Sequence, residues 1–139
     1  MATVDVRPFE AEHAPDVARL ATTVQWPSLT DPDVVRRVCA APGATAFVAL
    51  TEGALVGWAQ ALGDGVLQSH LSFLAVHPEH RRRGIARALL VATFQSTGAA
   101  RMDPIADDGP VTDAFYASFA HRRMSGFRLY PGAARLPEG

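Results

Sequence analysis

The chain has 139 residues, 48% of them apolar, and its 13 Lys and Arg stand against 14 Asp and Glu for a net charge of -1. Length and apolar content suit a single domain over residues 1–139 with its own core and no linker, and the near-zero charge excludes an overall field that would draw in nucleic acid or an anionic membrane. With no apolar leader in MATVDVRPFE and no run approaching ~18 uninterrupted apolar residues, the expectation is a soluble, cytoplasmic protein whose partner is a small molecule or a local protein segment.

In chain order, Val4 and Val6 alternate with polar neighbours and then meet Pro8, which predicts a short first strand. Ala14, Val17, Leu20, Ala21 and Val24 recur at helical spacing and predict an amphipathic helix stopped by Pro27. Asp31 as N-cap and Pro32 at the first helical position open a second helix, whose apolar side is Val34, Val35, Val38 and Cys39 and which Pro42-Gly43 closes. Both helices are expected on one side of a sheet. Cys39 is the single cysteine, so no internal disulfide forms, no zinc-like cluster accompanies it, and a reducing compartment fits.

Thr45 to Thr51, Ala54 to Leu62 and Val66 to Val76 are rich in apolar residues and separated by Glu52-Gly53 and Gly63-Asp64-Gly65, which predicts an antiparallel meander. After Pro78 the period changes: Ile85, Ala88, Leu89, Ala92 and Thr93 predict a helix to about Ser96 that stops near Gly98. A strand from Ala100 to Ile105 would complete a β-loop-α-β unit with its two strands parallel. A short helix from Val111 to Ser118 follows, then extended pieces over His121 to Met124 and Phe127 to Tyr130 joined by a turn at Ser125-Gly126. The fold class is α/β with a mixed, mostly antiparallel sheet, a β-α-β unit and flanking helices.

The informative segment runs from Leu74 to Leu90, where a strand ends, a turn with Arg81, Arg82 and Arg83 follows, and a helix starts at Gly84. Unpaired N–H groups at a helix N-terminus, the positive end of its dipole and a glycine that lets a ligand near the backbone together suit a pyrophosphate. The bland alternative is a solvated basic loop. Val76, Pro78, Arg81, Gly84 and Ala86 fill the signature Val-x-Pro-x-x-Arg/Gln-x-x-Gly-x-Gly/Ala, and Leu89 and Leu90 continue it. Here the sequence resembles the GNAT superfamily of N-acetyltransferases, and the order of elements from Val4 to about Tyr130 follows the family more loosely.

The resemblance implies that acetyl-coenzyme A binds through the turn from Arg81 to Ala86. It implies that backbone groups of Leu74, Ala75 and Val76 pair with the pantetheine arm on a strand that splays from its parallel neighbour, and that Arg82, Arg83, Gly84, Ile85, Ala86 and Arg87 surround the pyrophosphate. Phe115-Tyr116-Ala117-Ser118-Phe119-Ala120-His121 resembles the family's Tyr-x-x-x-Gly-Phe, which makes Tyr116 the general acid for the departing thiolate. Ala120 and His121 stand for the usual Gly-Phe, Gly126-Phe127 offers a second register with Arg122 in the tyrosine place, and Gly109 stands where many members have asparagine.

An alkyl amine with a pKa of roughly 10 is mostly protonated at pH 7, so transfer needs a base or a water relay. It also needs a donor for charge developing on the thioester oxygen, for which a backbone N–H near Leu74 or Val76 is the natural choice. Neither task calls for a metal. His70 on the cofactor strand, Asp103 on the next strand and a water chain are the alternatives for the base; Asp107 and Asp108 read as capping or loop residues. Cys39 as an acetyl carrier is a further alternative, and Gln25 and Trp26 fall on the acceptor side by resemblance, although Trp26 also reads as core. The competing functions are a GNAT-like acyl-coenzyme A sensor without catalysis and, more distantly, a nucleotide-phosphate binder lacking the Gly-Lys-Ser/Thr ending of a P-loop. Resemblance to small family members also points to a homodimer, with an unidentified amine as acceptor.

Overall fold

The computed structural model describes residues 3–132, so the extremes of the expected 1–139 domain lie outside the described residues. The chain divides into two compact units, one running through Pro104 and the other starting at Ile105.

In the first unit, β1 (Val4–Pro8), α1 (Ala14–Thr23), α2 (Pro32–Ala40), β2 (Ala44–Thr51), β3 (Ala54–Gly63), β4 (Gln68–Val76), α3 (Ile85–Thr97) and β5 (Arg101–Pro104) follow one another, with short 3-10 turns between some of them. The strands lie in the order β1-β2-β3-β4-β5. The first four are antiparallel neighbours and β4 and β5 are parallel, so the sheet is mixed as the periodicity predicts.

Side chains alternate between the two faces of each strand, and the two cores follow from that alternation. Val48, Trp58 and Ala75 face α1 and α2, packing with Val17, Leu20, Leu29 and Val35. Ala49, Val56, Ala59 and Val76 face the other way and bury Ile85 and Leu89 of α3. The register of β3 against β4 shifts between Gln60–Phe73 and Ala61–Leu71, so Ser72 is an extra residue and β4 is bulged there.

Three boundaries differ from the periodicity or confirm it for a visible reason. The first helix ends at Thr23, before Pro27, because Gln25 is left-handed at φ 63°. The Gln25 N–H then bonds to the Thr22 carbonyl at 3.2 Å and the Trp26 N–H to the Ala21 carbonyl at 2.8 Å, the paired bonds of a Schellman termination with glutamine in the glycine place. β4 starts at Gln68 rather than Val66, since the Asp64 carboxylate accepts from the N–H groups of Val66 and Leu67, each at 2.7 Å, and curls that segment into a loop. Those backbone bonds hold the Asp64 carboxyl below the usual aspartate range. The second helix opens as predicted, with the Asp31 side chain accepting from the Asp33 N–H at 2.9 Å.

The second unit contains α4 (Pro110–Ala117), where Phe115 meets Tyr116 and Phe119 edge-on at 5.0 and 5.4 Å. The extended pieces expected over 121–130 do not form strands, and Ser125-Gly126 is not a turn. Phe127 and Leu129, the apolar positions of that alternation, are 86% and 88% exposed. A period of two yields a strand only where another strand is in register to bond with it.

Candidate active site

The Leu74 to Gly84 segment turns the end of a strand into the start of a helix. The His77 N–H donates to the Val56 carbonyl at 2.8 Å, and in an antiparallel pair backbone groups alternate in direction. Phe73 and Ala75 therefore direct their N–H and C=O towards β3, while Leu74 and Val76 direct theirs to the opposite edge. β5 meets β4 only from Gln68 to Leu71, so β5 gives Leu74 and Val76 no ladder partner. The resemblance expects a splayed strand here; β5 ends opposite Leu71, and of the three expected backbone contacts this leaves Leu74 and Val76 on the open edge.

Arg81 fastens the turn: its Nε donates to the Val76 carbonyl at 3.2 Å. Arg82 then takes a left-handed φ of 63°, a conformation that costs a non-glycine residue roughly 1–2 kcal/mol. Gly84 follows at φ 76° as the N-cap of α3, without a side-chain cap. The first bond of that helix runs from the Ala88 N–H to the Gly84 carbonyl at 3.1 Å, so the N–H groups of Ile85 and Ala86 precede the helical ladder. A Cβ built on Gly84 would have no atom within 4 Å, so open space lies before it. Glycine suits this position for its left-handed backbone angle. Arg82 and Arg83 are exposed beside this helix start, and Arg83 lies 3.4 Å from the His80 ring. A groove of ≈ 480 Å³ runs from Gly84 and Arg87 along α3 to Gln95; it touches the candidate site only at its Gly84 end.

The two proposed bases come together. His70 and Asp103 are register partners across the parallel pair, and so share a sheet face. Asp103 Oδ2 accepts from Gln68 Nε2, and Gln68 Oε1 accepts from Arg101 Nε at 2.6 Å. On the same face, nearer the end of β4, Phe73 stacks on Trp58 at 5.4 Å and meets Trp26 at 5.6 Å. Trp26 is half-buried against the α1–α2 core, the core alternative for that residue, while Gln25 is exposed.

Tyr116 lies in the last turn of α4, and burial holds its phenol above the ordinary value, so it carries its proton at neutral pH. The second register loses its helix, because Arg122 falls in the irregular stretch after α4. Asp107 and Asp108 do not cap α4; Gly109 is the N-cap, and Asp108 pairs with Arg123 at 3.9 Å. Burial pushes the Cys39 thiol up to about 11, with the Trp58 side chain pulling weakly the other way. The Trp58 indole N–H nonetheless makes no hydrogen bond of normal geometry, so burial governs, and a thiol protonated at neutral pH is a poor acetyl carrier.

Gly57 is a position behind the candidate site that pattern reading passes over. It faces Val76 across the β3–β4 pair, and a Cβ there would lie 2.8 Å from Leu89 Cδ1 and 3.3 Å from Ile85 Cγ2. A side chain at this point would crowd the start of α3 and force the end of the Leu89 side chain aside. The available signal is a lone glycine inside an apolar strand. Among the described residues no group of three or more His, Cys, Asp or Glu could hold a metal ion, and no helix is long and apolar enough to cross a membrane.

The model of the acetyltransferase (GNAT) family matches residues 12–117. No curated protein sequence matches the chain. Among solved structures, the fold is similar to that of a ribosomal-protein-alanine N-acetyltransferase from Brucella melitensis biovar Abortus 2308, at 22% identity over 92% of this chain and 99% of that one, with a TM-score of 0.73. A GNAT-family acetyltransferase from Streptococcus pneumoniae TIGR4 aligns at 20% identity over 96% and 100%, with a TM-score of 0.75. An aminoglycoside N-acetyltransferase in complex with coenzyme A aligns at 18% identity over 94% and 100%, with a TM-score of 0.74.

Proposed function

We propose that this chain, which belongs to the acetyltransferase (GNAT) family, transfers the acetyl group of acetyl-coenzyme A to an amine by direct attack within a ternary complex. The observation that carries the reading is the uncapped start of α3 at Gly84, open in front, beside a strand edge whose Leu74 and Val76 backbone groups β5 does not pair. Bound acetyl-coenzyme A would supply the activated acetyl group. The N–H groups of Ile85 and Ala86, with Arg82, Arg83 and Arg87 around them, suit its pyrophosphate, and the Leu74 and Val76 edge suits the amide-rich pantetheine arm. Arg81 acts by holding the turn. One of the edge N–H groups donates to the carbonyl oxygen as negative charge builds there.

A proton must leave the amine nitrogen as its bond to the acetyl carbon forms, and one must reach sulfur as the carbon–sulfur bond breaks. His70 receives the first through a chain of waters, since four residues of strand separate it from Leu74; Tyr116 supplies the second. The same reading takes 1–139 as one cytoplasmic acetyltransferase domain and, by family resemblance, a homodimer, which sedimentation equilibrium tests. Neighbours of this fold are described as acting on ribosomal-protein alanine and on aminoglycosides, so both belong in a panel of test amines.

The test is calorimetric titration with acetyl-coenzyme A of the unmodified protein, Gly84→Asn and Gly84→Asp. Asn and Asp enter the left-handed region more readily than other residues, so the pair differs chiefly by one charge. Micromolar-range binding, about -8 kcal/mol, should weaken a few-fold in Asn and by on the order of a hundredfold in Asp, whose carboxylate meets the pyrophosphate across a short, poorly screened distance. Failure of the unmodified protein to bind would sink the reading; tight binding with no amine in the panel acetylated would leave the acyl-coenzyme A sensor. Tyr116→Phe should keep the affinity and lower turnover by on the order of a hundredfold, and unchanged turnover would remove Tyr116 from the mechanism.

A further inference from the structure

Resting on the transfer reading above, we propose that Gln68 is a positioning residue that holds the Asp103 carboxylate as a seat for a second ammonium group on the acceptor, making the acceptor a di- or polyamine. Arginine only donates and an ionised carboxylate only accepts, so the two partners of Gln68 fix its amide: Oε1 towards Arg101 and Nε2 towards Asp103. Arg101 and Asp103 are two residues apart on β5 and share a face, where a direct ion pair would consume the carboxylate's charge. Gln68 stands between them instead, and among the described residues Asp103 makes no ion pair. Its charge, held in one orientation and exposed, remains for an outside cation.

The surroundings suit an aliphatic amine. Leu62 of β3, His70 of β4 and Asp103 of β5 stand side by side in register across three strands, and Leu62 is 40% exposed. The row thus offers an apolar surface for a carbon chain beside an anion for its charged end. Four residues of strand separate His70 from Leu74, on the order of 13 Å at ~3.3 Å per residue before the Ser72 bulge shortens it. A group seated on Asp103 is therefore distant from the nitrogen that meets the acetyl carbon near Leu74, and it must be another nitrogen of the same molecule. Nothing is transferred at the seat: the second ammonium keeps its proton and is released with the acetylated product.

The experiment compares octamethylenediamine with octylamine, which has the same chain but one ammonium. Binding of each is measured by calorimetry on protein saturated with coenzyme A, and KM and kcat are measured with acetyl-coenzyme A. Asp103→Asn and Gln68→Met should each weaken diamine binding and raise its KM, by about tenfold for Asp103→Asn, the order of one charge-assisted contact, and by less for Gln68→Met. Octylamine binding and the KM for acetyl-coenzyme A should stay within about twofold, a split that general loosening of β4 would not produce. Diamine binding that survives both substitutions, or octylamine weakening equally, overturns the proposal. Diamine binding that depends on Asp103 without any acetyl transfer supports the seat and overturns the transfer reading alone.

Discussion

From Leu74 to Val76, β4 has run past the end of β5 and presents backbone N–H groups along an open edge, whereas from Gln68 to Leu71 the same strand is laced to β5 and presents side chains. The first stretch leads into a turn that Arg81 fastens to the Val76 carbonyl; the second carries the Arg101–Gln68–Asp103 chain of hydrogen bonds with His70 beside it. The backbone end suits a cofactor common to a whole family, since any residue has an N–H to offer. The side-chain end suits the acceptor, where a change of residue changes the chemistry without altering the strand. Under the proposed function, one strand would keep its cofactor fixed while its acceptor varies.

That division can be broken most sharply where it assigns no work. If neither half of β4 needs a covalent carrier, Cys39 should be inert: with its thiol pushed up to about 11 from 9.0, the thiolate at pH 8 is scarcer than in a free peptide. Alkylation by iodoacetamide should be roughly a hundredfold slower than for a peptide thiol and should climb about tenfold per pH unit below that value. Labelling at the peptide rate would restore the carrier. His70→Gln strikes the side-chain half alone; turnover should fall by tenfold to on the order of a hundredfold while acetyl-coenzyme A affinity holds, and an equal loss of affinity would show that the halves are not separable. Gly57→Val strikes the backbone half from behind. Its side chain would push into Leu89 and Ile85, costing about 1–3 kcal/mol of stability by overpacking, and should lower cofactor affinity several-fold by displacing the start of α3. A lower melting temperature with unchanged affinity would mean that the helix start is held by the turn instead.

Elements whose cause is local could be read from the residues alone. Asp31-Pro32 had to open a helix, Gly98 had to close one at φ 69°, and Val76, Pro78, Arg81, Gly84 and Ala86 had to make a strand-turn-helix junction. In each, the deciding residue lies within a few positions of the backbone it shapes. The same locality made the backbone half of the site legible, because it depends on where Gly and Pro permit the chain to go. Everything else waited on the folded chain. That β5 stops opposite Leu71, that Gly57 meets Leu89, and that Gln25 takes a glycine's place at the end of α1 have no sequence signal beyond an isolated glycine. The alternation of Phe127 and Leu129 predicted strands that do not form, since pairing requires a partner the pattern cannot supply. Gln68 and Asp103 are 35 residues apart, and nothing near either one announces the other; their contact exists because α3 carries the chain back to lay β5 parallel to β4, in a register set by the packing of the whole unit.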